Sequence, residues 1–381
     1  MTKPGLLPEG FHDRLPPLAD AAATVEARVL EAARLHGYER VDPPLAEFAD
    51  ELAARLKPAL SGWLGQPVEG AGGLTDAVRF VDPVSQRTLA IRPDLTAQIA
   101  RIAATRMGHH PRPVRLSYAG SALTLRAAEL APARERRQVG VELVGLDSVA
   151  AAREVASVAA DALAAAGIAD ASLDFTLPDL VDTLAAGPLS VAANRVEALR
   201  DRLDAKDAAA VAAIAPAYLP LIEAAGSFAA AMTRLRTFDE GRALRSRLDG
   251  LQAIADALQD RIDLTLDPTE RHGFEYKSWL GFTLFAAGTA RELGRGGTYM
   301  VVHADGREEP ATGFSLYADA LLTDAPAPDR RRLFLPHGTP EADGVALRAK
   351  GWVTVAALDP DDTPEAQLCT HVWVAGETRP L

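Results

Sequence analysis

Cysteine is almost absent from this sequence, since Cys369 is the single cysteine among 381 residues. An intramolecular disulfide is therefore excluded, and so is a zinc or iron–sulfur site built on cysteine. The chain contains no run of about 18 uncharged apolar residues, which argues against a membrane-spanning helix. The N-terminal residues also lack an apolar run of signal-peptide length. Together these absences predict a cytoplasmic protein.

Positive charge and aromatic side chains are also scarce. Lys and Arg number 40 against 52 Asp and Glu, so the formal net charge is −12, and only 6% of the residues are aromatic. A chain that binds a nucleic-acid backbone through charge usually has the opposite balance. The sequence therefore predicts neither a nucleic-acid partner nor a membrane partner. What is abundant is alanine, within a 48% hydrophobic fraction that favours helices packed through small side chains.

Strand and helix patterns alternate along the chain without strict βαβ order. Apolar spacing predicts a helix over Leu18–His36, and alternation predicts a strand over Val139–Val144. This mixture is typical of an α+β fold, with an antiparallel sheet flanked by helices. An alanine-rich helical stretch at about residues 177–263 interrupts the strand pattern, and we interpret it as an insertion.

The length predicts more than one domain. We predict a core over residues 1–322 and a small C-terminal α/β domain over residues 323–381, joined by a proline-rich linker. The C-terminal domain is predicted to contain one helix over Pro340–Lys350. It is also predicted to contain three strands, of which the last is His371–Val374.

One strand carries a polar face that could bind a small ligand. Gln138, Gly140 and Glu142 point to the same side of it, because alternate residues of a strand share a face. Gly140 has no side chain, so an amide and a carboxylate would flank a gap suited to a ligand with a cationic or N–H end. The alternative interpretation is an ordinary strand with a solvated outer face, and the segment alone leaves both open.

A second polar pair, Asp94 and Thr96, follows the strand that ends near Ile91. Both residue types are common in the first turn of a helix, where they satisfy free backbone N–H groups. We expect one of them to cap the helix and the other to contact a ligand.

Motifs for other chemistry are missing or incomplete. Gly294–Tyr299 resembles a phosphate loop only superficially, since it lacks the third glycine and the βαβ context. The eight histidines are scattered and there is no HExxH motif, so the sequence predicts no metal site. It also predicts no cofactor and no nucleophile–base pair.

Taken together, these segments resemble the catalytic core of class II histidyl-tRNA synthetases over roughly residues 5–322. The matching segments are Leu7–Asp13, Gly37–Leu45, Ile91–Ala97, Arg115–Glu142, His272–Tyr276 and Ala311–Leu316. The resemblance implies a class II synthetase-like fold. It also implies a histidine-binding pocket formed by Asp94, Thr96, Arg115, Gln138, Glu142 and Tyr276.

The sequence departs from the synthetase pattern where that pattern requires positive charge. Thr124, His272 and Ala320 stand at positions where the resemblance leads us to expect arginines, and Lys277 replaces a tyrosine. Each lost donor of this kind typically lowers a rate by about 10²–10³-fold. The resemblance therefore implies an amino-acid pocket without catalysis, unless Arg126 and Arg271 take over the lost positions.

A chain that keeps the amino-acid pocket of a synthetase but lacks its catalytic groups resembles the regulatory subunits of short-form ATP phosphoribosyltransferases. That resemblance implies a non-enzymatic chain whose partner is the short catalytic subunit and whose effector is L-histidine. It also implies a homodimer formed through the predicted helix at Leu18–His36, within a hetero-oligomer. Two alternatives stay open: an active synthetase-like ligase, and a synthetase-like scaffold with no ligand.

Overall fold

The computed structural model describes residues 6–56, 77–126, 133–271, 279–286, 291–322 and 331–381. The chain separates into two compact units, residues 1–325 and residues 326–381. None of the helices in the described ranges is long and apolar enough to cross a membrane.

The helices of the described ranges are mostly short. They are α1 (Leu18–Leu35), α2 (Ala49–Leu56), α3 (Thr96–Thr105), α4 (Val149–Ala166), α5 (Leu180–Ala186), α6 (Ala193–Asp204), α7 (Ala208–Ile214), α8 (Phe228–Phe238), α9 (Arg245–Ala255), α10 (Ala318–Leu321) and α11 (Glu341–Ala349), with a 3₁₀ segment at Pro216–Ala224.

The strands of the described ranges fall into three sheets. They are β1 (Glu39–Arg40), β2 (Ala46–Phe48), β3 (Arg79–Val81), β4 (Thr88–Ile91), β5 (Val114–Leu123), β6 (Glu135–Val144), β7 (Ala171–Thr176), β8 (Gly226–Ser227), β9 (Asp263–Leu266), β10 (Gly281–Ala286), β11 (Glu292–Val302), β12 (Glu308–Tyr317), β13 (Arg332–Leu335), β14 (Val353–Ala356), β15 (His371–Val374) and β16 (Glu377–Pro380).

A nine-stranded sheet forms the centre of the larger unit, in the order β1-β5-β6-β12-β11-β10-β7-β9-β8. Its six middle strands are antiparallel, as predicted, but β1 pairs with β5 and β7 pairs with β9 in parallel. Parallel neighbours need a long crossover connection. The helical stretch after β7 supplies that crossover for β9, so the helices predicted as an insertion also connect two strands of the sheet.

Helices cover both faces of this sheet. On one face α1 and α4 pack against each other and against an apolar layer that includes Val141, Phe282 and Phe314. Ser148 caps α4 by accepting the N–H of Ala151 at 3.1 Å, and Gly167 ends the helix with a φ of +92°. The opposite face packs against α3 through a second apolar cluster. The site lies on this second face.

The smaller unit holds a four-stranded sheet in the order β14-β13-β15-β16. Its helix and first three strands lie where the sequence predicts them, but the expectation that His371–Val374 is the last strand is wrong. The chain turns at Ala375 and Gly376, whose φ angles are +52° and +89°, and β16 then pairs antiparallel with β15. Two consecutive positive φ angles are typical of the tight turns that join hairpin strands.

Candidate functional site

The polar face of β6 points toward α3, and it is buried. Gln138 and Glu142 are each only 1% exposed, while Val139, Val141 and Leu143 pack on the opposite face beside α4. The alternation read from the sequence is therefore confirmed, and the alternative of a solvated outer face is wrong. A buried amide and a buried carboxylate need hydrogen-bond partners, because unsatisfied polar groups destabilise a protein interior.

Asp94 connects the start of α3 to β6. Its Oδ1 atom accepts the backbone N–H of Thr96 at 2.7 Å, and its Oδ2 atom accepts the side-chain amide of Gln138 at 2.7 Å. The Gln138 amide also donates to Ser315 Oγ at 2.6 Å, and its oxygen accepts the N–H of Leu95 at 3.2 Å. Asp94 thus satisfies the first backbone N–H group of α3 and joins the site with the same carboxylate.

Glu142 is held by hydroxyl groups. The Tyr299 hydroxyl donates to Oε2 at 2.7 Å, the Tyr118 hydroxyl donates to Oε1 at 3.3 Å, and the side chain of Thr96 forms a further hydrogen bond. Tyr118 also lies 2.8 Å from Ser315 Oγ. Ser315 therefore links the Glu142 half of the network to the Gln138 half.

Among the residues that the structure describes, no cation contacts either of these two carboxylates. Within the described ranges, Asp94 and Glu142 receive hydrogen bonds only from amide, hydroxyl and backbone N–H groups. Arg92 acts on Asp94 only through space, because its guanidinium donates to the carbonyls of Ser121 at 2.7 Å and Pro43 at 2.8 Å. An arrangement of this kind attracts a ligand that brings its own positive charge or N–H donors.

Burial shifts the proton affinity of both groups. It raises the pKa of Glu142 to about 8, with the nearby Asp94 charge acting in the same direction and the bonds from Tyr299, Thr96 and Tyr118 opposing it. Burial also raises the pKa of Asp94, against its hydrogen bonds to Gln138 and Thr96. Two neighbouring carboxyl groups with raised pKa values are typical of functional sites.

A row of glycines continues from Glu142 across the sheet. Gly313 on β12 lies opposite Glu142, Gly297 on β11 lies opposite Gly313, and Gly281 on β10 lies opposite Gly297. A Cβ atom at position 313 would overlap the Glu142 carboxylate, so glycine is required there. The three glycines give this face of the sheet a floor without side chains of its own, which ends at Thr176 on β7.

The expected gap at Gly140 is corrected by the structure. The Tyr118 ring lies against Gly140, and a Cβ atom there would approach the Tyr118 hydroxyl to 2.7 Å. The gap that the sequence places at Gly140 is therefore filled, and the side-chain-free part of the face lies at the glycine row instead.

The structure brings together four of the six predicted histidine-binding residues: Asp94, Thr96, Gln138 and Glu142. Arg115 does not join them, which corrects the expectation. It lies on the opposite face, where its guanidinium donates to Glu154 of α4 at 2.6 and 2.8 Å. Its register partner is Leu143, which points away from Glu142. Tyr276 lies outside the described residues.

Three members of the network were not predicted: Tyr118, Tyr299 and Ser315. Tyr299 ends the glycine-rich segment that the sequence analysis compared with a phosphate loop, and that segment is part of β11. A strand reading of Gly294–Tyr299 with period 2 would have placed Tyr299 on the same face as Gly297.

The structure describes two of the positions where arginines were expected, Thr124 and Ala320. It also describes both candidate replacements, Arg126 and Arg271. Thr124 donates its hydroxyl to the carbonyl of Arg126 at 2.9 Å, and Ala320 lies in α10. The guanidinium of Arg271 is bound to α6, at 2.6 Å from Asp201 and 2.9 Å from Glu197. Arg126 is exposed. His272 and Lys277 lie outside the described residues.

Comparison with known proteins places the chain in a family. A sequence model of the histidyl-tRNA synthetase family matches residues 10–321. The ATP phosphoribosyltransferase regulatory subunit of Rhodospirillum centenum is 44% identical, over 99% of this chain and 96% of that protein. This chain belongs to the ATP phosphoribosyltransferase regulatory subunit family. The resemblance inferred from the sequence is confirmed.

Solved structures related to this family confirm the predicted fold class. A regulatory subunit/histidyl-tRNA synthetase from Bacillus halodurans matches with a TM-score of 0.78 at 21% identity, over 98% of this chain and 100% of that one. A chain of the ATP phosphoribosyl transferase (HisG:HisZ) complex from Thermotoga maritima matches with a TM-score of 0.58 at 18% identity, over 78% and 97%. The fold is that of class II histidyl-tRNA synthetases.

Proposed function

We propose that this chain is a non-catalytic subunit that binds a short ATP phosphoribosyltransferase catalytic subunit. We propose further that it is required for the activity of that subunit, and that it makes the first step of L-histidine biosynthesis sensitive to L-histidine. The near full-length relationship to a regulatory subunit carries this proposal. The division into a core of residues 1–322 and a C-terminal domain of residues 323–381 belongs to the same proposal.

The chemistry of the site supports L-histidine as the effector. Asp94, Thr96 and Gln138 offer oxygen acceptors to an α-ammonium group, and Glu142 offers an acceptor to an imidazole N–H. Because no cation is bonded to either carboxylate in the described part of the chain, a ligand with an ammonium group supplies the missing countercharge. Tyr276 belongs to this proposal by resemblance alone.

Calorimetry on the isolated chain tests the pocket. Glu142→Ala is expected to weaken L-histidine binding by roughly 10–100-fold, because a charge-assisted bond contributes about 1.5–3 kcal/mol. Glu142→Gln is expected to weaken binding less, because the amide oxygen still accepts a hydrogen bond from the ligand. Glu154→Gln, on the opposite face of the sheet, is the matched control and should bind as the unmodified chain does.

The proton balance of binding provides a second readout. The pKa of unliganded Glu142 lies near 8, so arrival of a positive group should displace its proton at neutral pH. Titration in two buffers of different ionisation enthalpy should show that release, and Glu142→Gln should abolish it. Equal affinity in the unmodified chain and Glu142→Ala, or no binding in either, would overturn this location for the effector.

Reconstitution tests the partner. The chain should co-purify with a short ATP phosphoribosyltransferase chain that is inactive alone, and the mixture should be active and inhibited by L-histidine. Co-purification without activation would contradict the regulatory role. Failure to co-purify would favour a scaffold with no such partner.

The match to the histidyl-tRNA synthetase family model favours a second candidate, an active synthetase. The ion pairs that Arg271 forms with Asp201 and Glu197 oppose it, because they direct this guanidinium to α6. We propose that the cationic groups needed for ATP activation are lost. Histidine-dependent exchange of pyrophosphate into ATP at a synthetase-like rate would overturn that.

We also propose a homodimer through α1 and the extended segment that follows it. Leu18, Leu35 and Leu45 are 54%, 71% and 51% exposed, and a two-fold contact would bury such side chains. Sedimentation should show at least a dimer at micromolar concentration. The net charge of −12 supports the absence of a nucleic-acid partner.

A further inference from the structure

The C-terminal sheet has two edges that differ in their protection. Edge strands usually carry charges or proline, which prevent pairing with other chains. β16 follows this rule, because it contains Glu377, Arg379 and Pro380. β14 does not, and within the described residues β13 is its only paired neighbour.

The sequence around β14 is uncharged over eight residues, and Thr354 is its one polar residue. Residues 351–358 contain no charge and no proline, and Val353 and Leu358 are 57% and 90% exposed. An exposed apolar edge of this kind is able to accept another strand.

Charge at the two ends of this segment selects the direction of pairing. Lys350 precedes it, whereas Asp359 and Asp361 follow it, and all three are exposed. The Arg348 guanidinium does not add to the charge at this end, because it donates to Thr354 at 3.1 Å and to Glu341 at 2.7 Å. An antiparallel arrangement of two copies would put the basic end of one beside the acidic end of the other. A parallel arrangement would put like charges together, which is unfavourable.

We propose that β14 pairs antiparallel with β14 of a second copy of this chain, about a two-fold axis near Thr354, so that two four-stranded sheets become one of eight strands. Directly opposed residues of an antiparallel pair share a face, so Thr354 lies opposite Thr354 of the second copy and Val353 opposite Val355. Their Cβ atoms would be about 4.5–5.5 Å apart.

A chemical cross-link tests this pairing in the full chain. With Cys369→Ala removing the native thiol, Thr354→Cys should form a covalent dimer with a short reagent that joins two thiols, at micromolar concentration, because the two Cβ atoms would lie close together but farther apart than the about 3.5–4.5 Å of a disulfide. Val345→Cys on α11, a position that is 54% exposed, is the matched control and should form little. Added salt should lower the yield at position 354, because it screens the end charges.

A charge on the edge gives an independent readout without a new thiol. Val353→Lys should lower the average mass seen by sedimentation velocity at tens of micromolar, while circular dichroism confirms that the variant is folded. Equal cross-linking at positions 354 and 345, or no cross-linking at 354, would overturn the proposal. Protection of the thiol introduced at position 354 only after the catalytic subunit is added would assign this edge to that partner instead.

Discussion

Glu142 on β6 and Glu309 on β12 are both buried on the same face of the large sheet, and their surroundings are opposite. Glu309 accepts the Arg112 guanidinium at 2.6 Å and lies 2.9 Å from His303 Nε2. Although burial opposes them, these bonds hold the pKa of Glu309 below its usual range. Glu142 has only hydroxyl partners in the described part of the chain, and burial raises its pKa to about 8.

Glu309 and Glu142 lie at opposite ends of one helix, α3. Arg112, which holds Glu309, also donates to the carbonyls of Ala103 and Met107 at the C-terminal end of α3. Glu142 lies at the N-terminal end, beside Thr96. Where the protein needs a carboxylate only for structure, it supplies the countercharge itself. At Glu142, we propose, a positively charged ligand displaces the proton of the carboxyl group and supplies the countercharge, which is why we assign binding to that end.

The largest effect is expected from removing Glu309, the carboxylate at the C-terminal end of α3 that serves only the structure. Glu309→Ala should lower the free energy of unfolding by about 3 kcal/mol, because it leaves the Arg112 guanidinium, whose side chain is only 21% exposed, without its carboxylate. Urea denaturation measures this loss, with Glu31→Ala as control, since Glu31 pairs with Arg34 on the surface and such pairs contribute about 0–1 kcal/mol. A loss as small as that of the control would mean that Glu309 is no more structural than a surface ion pair.

The next effect is a pH dependence caused by Glu142. Its pKa is about 8 in the folded chain against 4.5 as the ordinary value, so the folded state holds an extra proton between these limits. The free energy of unfolding should therefore fall as pH rises from 5 to 8, by at most about 1.4 kcal/mol per pH unit. Glu142→Gln should reduce this slope in urea titrations at each pH, and the slope that remains should come from Asp94 and Asp174, whose pKa values burial also raises. An unchanged slope would show that Glu142 is ionised at neutral pH.

Local periodicity explains what could be predicted from the sequence. The α1 helix and the polar alternation of β6 depend on neighbouring residues, so both were accessible. The tyrosines around Glu142 were not, because Tyr299 lies 157 positions away and reaches it only through strand order. The prediction of a gap at Gly140 was wrong for the same reason, since β5 places the Tyr118 ring there. Arg115 was assigned by resemblance, and its face depends on the register of β5 with β6.

A smaller effect is expected for the hydroxyl groups that hold Glu142. Tyr299→Phe should weaken L-histidine binding by roughly 5–20-fold, because it removes the 2.7 Å hydrogen bond and leaves the carboxylate less well positioned. The pKa of Glu142 should rise further, which would move the pH profile of binding upward. Calorimetry at several pH values measures both changes. Tyr38→Phe, whose hydroxyl donates to Glu154 at 3.1 Å, is the control. A Tyr299→Phe variant that binds like this control would separate Tyr299 from the site.

The smallest effect is expected at a third carboxylate, Glu154, whose countercharge is Arg115. This pair lies on the α4 side of the sheet, and the side chains of Arg115 and Glu154 are 33% and 28% exposed. Arg115→Ala should therefore lower the free energy of unfolding by only about 1 kcal/mol, because solvent screens a partly exposed pair. L-Histidine affinity should stay within about two-fold of the unmodified chain, since the sheet separates Arg115 from Glu142. A ten-fold loss of L-histidine affinity at unchanged stability would mean that Arg115 belongs to the site. It would also mean that an ion pair with an arginine of the chain does not mark a carboxylate as structural rather than ligand-binding in this protein.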